Sequence, residues 1–356
     1  MKLPELMSGM VLTGHGGLDK LQWRDNIPVP KPEHNEVLVE VLASSVNNTD
    51  INTRIAWYSK SVRGDTASAS KQVAEAAEAD GAWSGEPLVF PRIQGADCCG
   101  RIVAVGSDVP ESRIGERVLL RAMQTFKTES GELQCRTLGS ESDGAFAQYT
   151  KVSSFDALPV NSDWTDEELA SIPCAYSTAE GMLQRIALGA ERVLITGASG
   201  GVGSAAVQLA KRRGAHVAAM INPSKAKALG DIGADETVGR DDPFPKDSFD
   251  AVVDLTAGPR WPDMITALRR GGRYVASGAI AGPLVELDVR TLYLRDLSLF
   301  GSTLQPDRIL PDVISYIERG ELKPLIAREF PLKELQAAQT AFLKKDFVGK
   351  IAIRHV

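Results

Sequence analysis

The chain is short of cysteine and has no excess of positive charge, and each shortage removes a class of protein. Four cysteines, at 98, 99, 135 and 174, are spaced as no disulfide framework would be in 356 residues. A packed core must hold the fold, and a reducing, cytoplasmic compartment is expected. A net charge of −6 implies no basic face for nucleic acid. No apolar run is long enough to span a bilayer, and Met1-Lys-Leu-Pro-Glu-Leu6 lacks a signal peptide's apolar segment, so no membrane partner is expected. What is present is hydrophobic material, 43 % of residues, enough for two buried cores.

The first part reads as β structure. Residues 36–46 alternate apolar and polar, 101–105 and 117–121 are short strands closed by Gly106 and preceded by Gly115, and Asp143-Gly144 precedes a strand over Ala145–Val152. Close spacing and turn signals predict a small barrel-like β domain. From Thr165 the rhythm changes to alternating helix and strand. Thr165-Asp-Glu-Glu168 opens a capped helix; 249–255, 273–279 and Leu297–Leu304 are buried strands, with a helix around Asp263–Arg270. That alternation predicts an α/β fold with a doubly wound parallel sheet. The tail from Val313 carries helix, strand, helix and a final strand, Lys350–Arg354, expected to return to the β domain.

Residues 193–222 carry the strongest signal. An apolar strand runs into Ala198-x-Gly200-x-x-Gly203, then an amphipathic helix with Val202, Ala205, Ala206, Leu209 and Ala210 on one face, then a second strand. This is the dinucleotide fingerprint with alanine for its first glycine. Gly200, Gly201 and Gly203 put no side chain between backbone and phosphate, and the helix directs its unpaired N–H groups and positive dipole end there. A purely structural glycine turn is the competing reading. Residues 59–88, alanine-rich and helix-prone over 66–80, are either a surface excursion or a functional insertion.

Val46-Asn-Asn-Thr-Asp50, Pro91-Arg-Ile-Gln-Gly-Ala-Asp97, Ile114-Gly-Glu-Arg-Val118, Asp143-Gly-Ala-Phe-Ala-Gln-Tyr149, Ser177-Thr-Ala179, Gly272-Arg-Tyr-Val275, Leu299-Phe-Gly-Ser-Thr303 and Gly349-Lys-Ile351 follow one another in a familiar order. The chain thereby resembles the medium-chain dehydrogenase/reductase superfamily, and within it the zinc-free quinone oxidoreductase branch. The resemblance implies a GroES-like catalytic domain (1–160 and 312–356) and an inserted Rossmann domain (161–311), with the active-site cleft between them. It also implies a homodimer or homotetramer joined through Rossmann edges near Leu297–Leu304. Residues 59–88 exceed the linker usual in that branch, so a substrate-selecting lid is expected there.

Alcohol dehydrogenases of the superfamily hold a catalytic zinc on a Cys, a His followed by Glu, and a second Cys. Here those positions are Asn47, Ala96, Asp97 and Cys174. One thiolate and a carboxylate do not supply three protein ligands, so no zinc is expected. The structural-zinc lobe offers only Cys135. Cys98 and Cys99, adjacent in a strand, should face opposite sides and be buried. Cys174 is either an inert pocket-wall residue or a reactive thiol.

Loss of the metal bears on the chemistry. Oxidising an alcohol removes a hydroxyl proton as hydride departs, and zinc assists as a Lewis acid. A conjugated enone or a quinone needs only donors for an enolate oxygen and a proton. The resemblance places the loop Asn47–Tyr58 over the nicotinamide. Tyr58, Asn47 and Arg54 are the candidate catalytic groups, with Asn52, Asp97 and Cys174 lining the pocket. Tyr58 can donate the proton or simply pack beside Trp57, and solvent can also donate; Arg54 can equally be structural. Asp50 and Asp97 are expected to orient their neighbours.

For the cofactor, the resemblance sets Thr178 near the nicotinamide, Ser199, Gly200, Gly201 and Val202 around the pyrophosphate, Ser277, Gly278 and Ala279 along the ring, and Ser302 and Thr303 near the carboxamide. The second strand ends at Asn222 with no acid for the ribose hydroxyls, and Ser224, Lys225 and Arg240 can meet a 2′-phosphate, so NADPH is expected over NADH. Lys350 is a further candidate for the phosphates. The expected activity is zinc-independent, NADPH-dependent reduction of a small electrophile, a quinone or an α,β-unsaturated carbonyl compound. An alcohol dehydrogenase and a non-catalytic NADPH-binding protein are the alternatives.

Overall fold

The computed structural model describes residues 3–69 and 81–355. The β part begins with β1 (Leu6–Leu12), β2 (Leu21–Pro28) and β3 (Glu36–Ser45), then α1 (Asn48–Arg54) and the single turn α2 (Thr66–Ala69). It continues through β4 (Arg92–Ile93), β5 (Cys99–Val105), β6 (Arg117–Leu120), β7 (Met123–Lys127), β8 (Leu133–Thr137), β9 (Tyr149–Ser153) and β10 (Ala157–Pro159). Next come α3 (Asp166–Ala170) and α4 (Pro173–Arg185), and Thr165 with Glu168 closes the reciprocal cap that opens α3.

The second layer is built from β11 (Arg192–Ile195), α5 (Gly201–Arg212), β12 (His216–Met220), α6 (Ala226–Gly230), β13 (Glu236–Val238), β14 (Phe249–Asp254), α7 (Trp261–Ala267), β15 (Leu268–Ala276), α8 (Val289–Leu294) and β16 (Ser298–Gly301). All six strands are parallel, in the order β13-β12-β11-β14-β15-β16. The order reverses between β11 and β14, which opens a crevice at their carboxyl ends. Alternate residues of the strands feed two cores: Val193, Ile195, Val217 and Val253 on one face, Leu194, Ala218 and Val252 on the other.

Then α9 (Ile309–Glu318), β17 (Ile326–Pro331), α10 (Leu335–Leu343) and β18 (Lys350–Arg354) bring the chain back. β18 pairs antiparallel with β3, and β17 lies beyond it, so the last strands complete the sheet β10-β6-β5-β3-β18-β17. Cys98 and Cys99 do point into separate cores, one inside the β domain and one against α3 and α4.

Most strand ends fall within two residues of the sequence reading, with larger differences around β9, β15 and β16. The helix before β15 stops at Ala267, because Leu268 already pairs with Phe249, and the register then shifts across Gly271 (φ 74°) and Gly272. β9 begins at Tyr149 rather than Ala145, since Ala145 and Phe146 bond outward to Gly95 and Gln94. β16 ends at Gly301, where the Ser302 N–H turns to the Ala276 carbonyl.

Candidate active site

Between the two sheets lies a buried polar cluster assembled from four elements. The Asp97 carboxylate, fully buried before β5, accepts from Ser45 Oγ (2.5 Å) at the end of β3, Asn47 Nδ2 (2.7 Å), the Cys174 backbone N–H (2.6 Å) at the start of α4, and Lys350 Nζ (2.9 Å) on β18. Lys350 also donates to Asn47 Oδ1 (2.5 Å). The Lys350–Asp97 pair is 3 % and 0 % exposed, a closed ion pair whose remaining lone pairs are filled by hydrogen bonds. The Asp50 carboxylate caps the Asn47 N–H at 2.7 Å. Burial, followed by the Asp97 charge, pushes Asp50 up to about 7 against the help of Lys350 and the backbone.

This geometry corrects two assignments. Asn47 is not free to hold a substrate oxygen: its amide oxygen belongs to Lys350 and its NH2 group to Asp97 and Ser45 O. Asn47 positions its neighbours. Arg54 does not face the cleft either. Its guanidinium is 2 % exposed and donates to the Gly16 carbonyl (2.6 Å) and Gln339 Oε1 (3.0 Å), tying α1 to α10 inside the β domain. Lys350 is held by Asp97 and Asn47, with its methylenes against Gly201, rather than being directed at a phosphate.

Tyr58 lies near Asp50 and Cys174. Its half-buried ring meets Trp57 edge-on at 5.8 Å and Trp83 at 5.3 Å, so it is both packed and accessible. Burial holds its phenol well above the ordinary tyrosine range, opposed by hydrogen bonds from Thr49 and Asn52. Asn52 Oδ1 is buried without a hydrogen-bond partner among the described residues. Cys174 is half-buried near Asp97 and Asp50, and burial first, then the Asp97 charge, keeps its thiol protonated far above the usual range. That environment suits a wall and not a nucleophile. Trp83 and Thr66, whose N–H donates to the Ile280 carbonyl across the cleft at 3.2 Å, belong to the 59–88 insertion. Residues 70–80 of that insertion, which carry most of the expected lid, lie outside the described residues.

The crevice at the carboxyl ends of β11 and β14 forms the cofactor side. Gly197 turns at φ 56°, Gly200 caps α5, and a Cβ on Gly203 would collide with the Gly197 carbonyl oxygen. Gly200 is exposed and a Cβ there meets nothing closer than 3.5 Å, so the space in front of the first turn stays clear for a phosphate. The turn is braced from below by buried Asp254, which accepts from Thr196 Oγ1 (2.5 Å), the Thr256 N–H (2.8 Å) and the Tyr274 hydroxyl (2.6 Å). Ser199 and Val202 flank the glycines half-buried. Asn222 spends its Oδ1 capping the Ser224 N–H at 3.1 Å, while Ser224 and Arg240 are exposed beside it. Thr178 lies one turn after Cys174 on α4. Ser277, Gly278 and Ala279 leave β15 half-buried, Ser302 is buried and Thr303 exposed.

Sequence profiles of two domains match this architecture: "Alcohol dehydrogenase GroES-like domain" over residues 33–162 and "Zinc-binding dehydrogenase" over 201–319. A solved protein of Sinorhizobium meliloti 1021, provisionally named an alcohol dehydrogenase, is 40 % identical with a TM-score of 0.87, over 99 % of this chain and 97 % of that one. The chain belongs to the medium-chain dehydrogenase/reductase superfamily. Among its relatives are an acryloyl-coenzyme A reductase of Metallosphaera sedula, 25 % identical over 98 % of this chain and 99 % of its own. Another is the chloroplastic NADPH-dependent alkenal/one oxidoreductase of Arabidopsis thaliana, 25 % identical over 99 % of this chain and 80 % of its own. Membership makes the protein an oxidoreductase.

Asn47 and Asp97, which stand at two of the superfamily's zinc-ligand positions, both bond the Lys350 ammonium. Among the described residues no three His, Cys, Asp or Glu side chains converge as metal ligands. Sequence reasoning placed Asn47, Asp97 and Cys174 here but missed Ser45, Thr49 and Trp83, which no motif marks. It also missed that Lys350, noted in Gly349-Lys-Ile351, reaches the cluster; only the pairing of β18 with β3 brings it there.

Proposed function

We propose that the protein is an NADPH-dependent, zinc-independent reductase of α,β-unsaturated carbonyl compounds, acyl thioesters and quinones included. The observation that carries this reading is the Lys350 ammonium fixed between Asp97 and Asn47. A dication set among Asn47, Asp97 and Cys174 would meet that charge at close range, and would find one carboxylate already neutralised and a thiol held protonated. The names of the Metallosphaera and Arabidopsis relatives, both concerned with unsaturated carbonyl compounds, support the substrate class.

The glycine turn, with its open face at Gly200 and the α5 N-terminus behind it, fits a dinucleotide pyrophosphate. The absence of an acid after β12, with Ser224, Lys225 and Arg240 nearby, fits a 2′-phosphate. When bound, the reduced nicotinamide supplies hydride to the carbon β to the carbonyl. Tyr58 donates its hydrogen bond to the carbonyl oxygen as that oxygen gains charge, with Thr49 and Asn52 fixing the phenol's orientation. A proton from Tyr58 or water then completes the saturated product. Trp83 and Thr66 wall the cleft, and the insertion selects which acceptors reach Tyr58. The exposed edge strand β16, with Leu299 and the nearby Tyr293 and Leu294 open to solvent, supports a homodimer through that edge.

Product analysis tests the reading. An α,β-unsaturated ketone incubated with NADPH and enzyme should yield the saturated ketone. An allylic alcohol with the C=C intact would show carbonyl reduction and sink the proposal.

A further inference from the structure

Lys345 follows α10 in the left-handed region, at φ 53°, where glycine or asparagine would sit with less strain. Its ammonium nevertheless lies half-buried, donating to Asn48 Oδ1 (3.1 Å) on α1 and resting 3.5 Å from the Phe342 ring centroid. Lys225, from the loop after β12, reaches the same place. Its Nζ donates to the carbonyls of Lys345 and Phe347 (2.7 Å each) and to Ser199 Oγ (3.3 Å) in the glycine turn. Among the described residues, both ammonium groups hydrogen-bond only neutral oxygens. Two amines drawn together beside a glycine turn, with no carboxylate bonded to either, disfavour one another's charged form unless an anion joins them.

We propose that Lys345 and Lys225 together form a phosphate subsite of the cofactor cleft, with Lys345 a direct ligand of the dinucleotide. This rests on the NADPH reading above and assigns it a residue that no fingerprint contains. Lys225 stands at the end of β12, where the adenosine ribose is read, so the 2′-phosphate is the expected occupant. Strain at Lys345 is what such a role would retain.

A consequence follows for protons. Burial, with the Lys225 and Lys350 charges behind it, holds Lys345 down to about 7. The other groups around it are Asn48 on α1, Asp346 next in the chain and paired with Arg328, and Asp97, already bonded to Lys350. None of these carboxylates is hydrogen-bonded to Lys345. A phosphate dianion raises the amine's proton affinity, so binding at pH 8 should take one proton from solvent onto Nζ to complete the ammonium.

Calorimetric titration of the full protein with NADPH, NADH and 2′,5′-ADP tests this, run in two buffers of different ionisation heat. The variants are Lys345→Met, Lys345→Gly and Lys345→Arg. Glycine suits the φ and guards against misfolding; arginine keeps the charge without a titrating amine. Lys345→Met and Lys345→Gly should weaken NADPH and 2′,5′-ADP about tenfold or more, the size of one charge-assisted contact. NADH should change less than about twofold, proton uptake should vanish, and Lys345→Arg should restore affinity without uptake. Equal losses for NADPH and NADH would support the subsite with the pyrophosphate as its occupant. Unchanged affinity for all three ligands in both Lys345→Met and Lys345→Gly overturns the proposal. The wild-type comparison separates the two claims: no NADPH preference there refutes the cofactor reading itself, whereas a wild-type NADPH preference together with undiminished affinity for all three ligands in both variants refutes only Lys345.

Discussion

Tyr58 and Asp50 stand near one another at the cleft, and burial raises both, with opposite consequences. The phenol stays protonated at every physiological pH and keeps a proton to donate, whereas Asp50, pushed up to about 7, changes charge in the working range. Tyr58→Phe removes the donor but keeps the ring against Trp57 and Trp83. It should lower kcat for an enone about 100-fold, the size of a lost oxyanion donor, with little change in cofactor Kd. An unchanged kcat would reduce Tyr58 to packing. For Asp50 the native state keeps a proton that the unfolded chain, titrating near 3.8, releases. Its contribution is therefore present at low pH and is lost as pH rises from about 4 through about 7. Asp50→Asn should flatten that fall, so its melting temperature should gain on wild type between pH 4 and 7. A constant difference across the window would show that Asp50 ionises normally.

At the level of elements, the α5 unit was the most legible part of the chain, because a 3.6-residue apolar period flanked by two strands and a glycine run admits few other folds. Gly203 shows why: a Cβ there would strike the Gly197 carbonyl oxygen, so the tight strand-to-helix turn requires this glycine. Gly203→Ala should cost about 1–3 kcal/mol of unfolding free energy, read from urea melts, and a neutral result would mean the turn is looser than described. Legibility failed where pairing outweighs local preference. The helix expected through Arg270 ends early because β15 pairs from Leu268, and Arg54, polar and on the right loop, turns inward to Gly16 and Gln339. Neither partner is near it in sequence. The Asn47–Asp97–Lys350 cluster was half visible: the motifs marked Asn47 and Asp97, but the cation that joins them arrives 253 residues after Asp97 and only through the β18–β3 ladder.

Across the whole molecule, β3, α4 and β18 converge on Asp97, whose ion pair with Lys350 lies inside the β domain and whose hydrogen bond from the Cys174 N–H reaches the start of α4. The exposed edge at β16 makes a separate prediction. Leu299→Glu should shift the protein from dimer to monomer in light scattering without altering Asp97 or Lys350; a wild-type monomer would remove the edge from the account. The central claim is that this cleft reduces enones without zinc, the Tyr58 phenol serving the carbonyl oxygen while the Lys350 ammonium is tied to Asp97 and Asn47. Its most direct test is steady-state enone reduction by NADPH before and after exhaustive chelation, with metal content measured in the same samples. Unchanged kcat/KM in metal-stripped enzyme is the predicted result, and loss of activity restored by one equivalent of Zn²⁺ would contradict it.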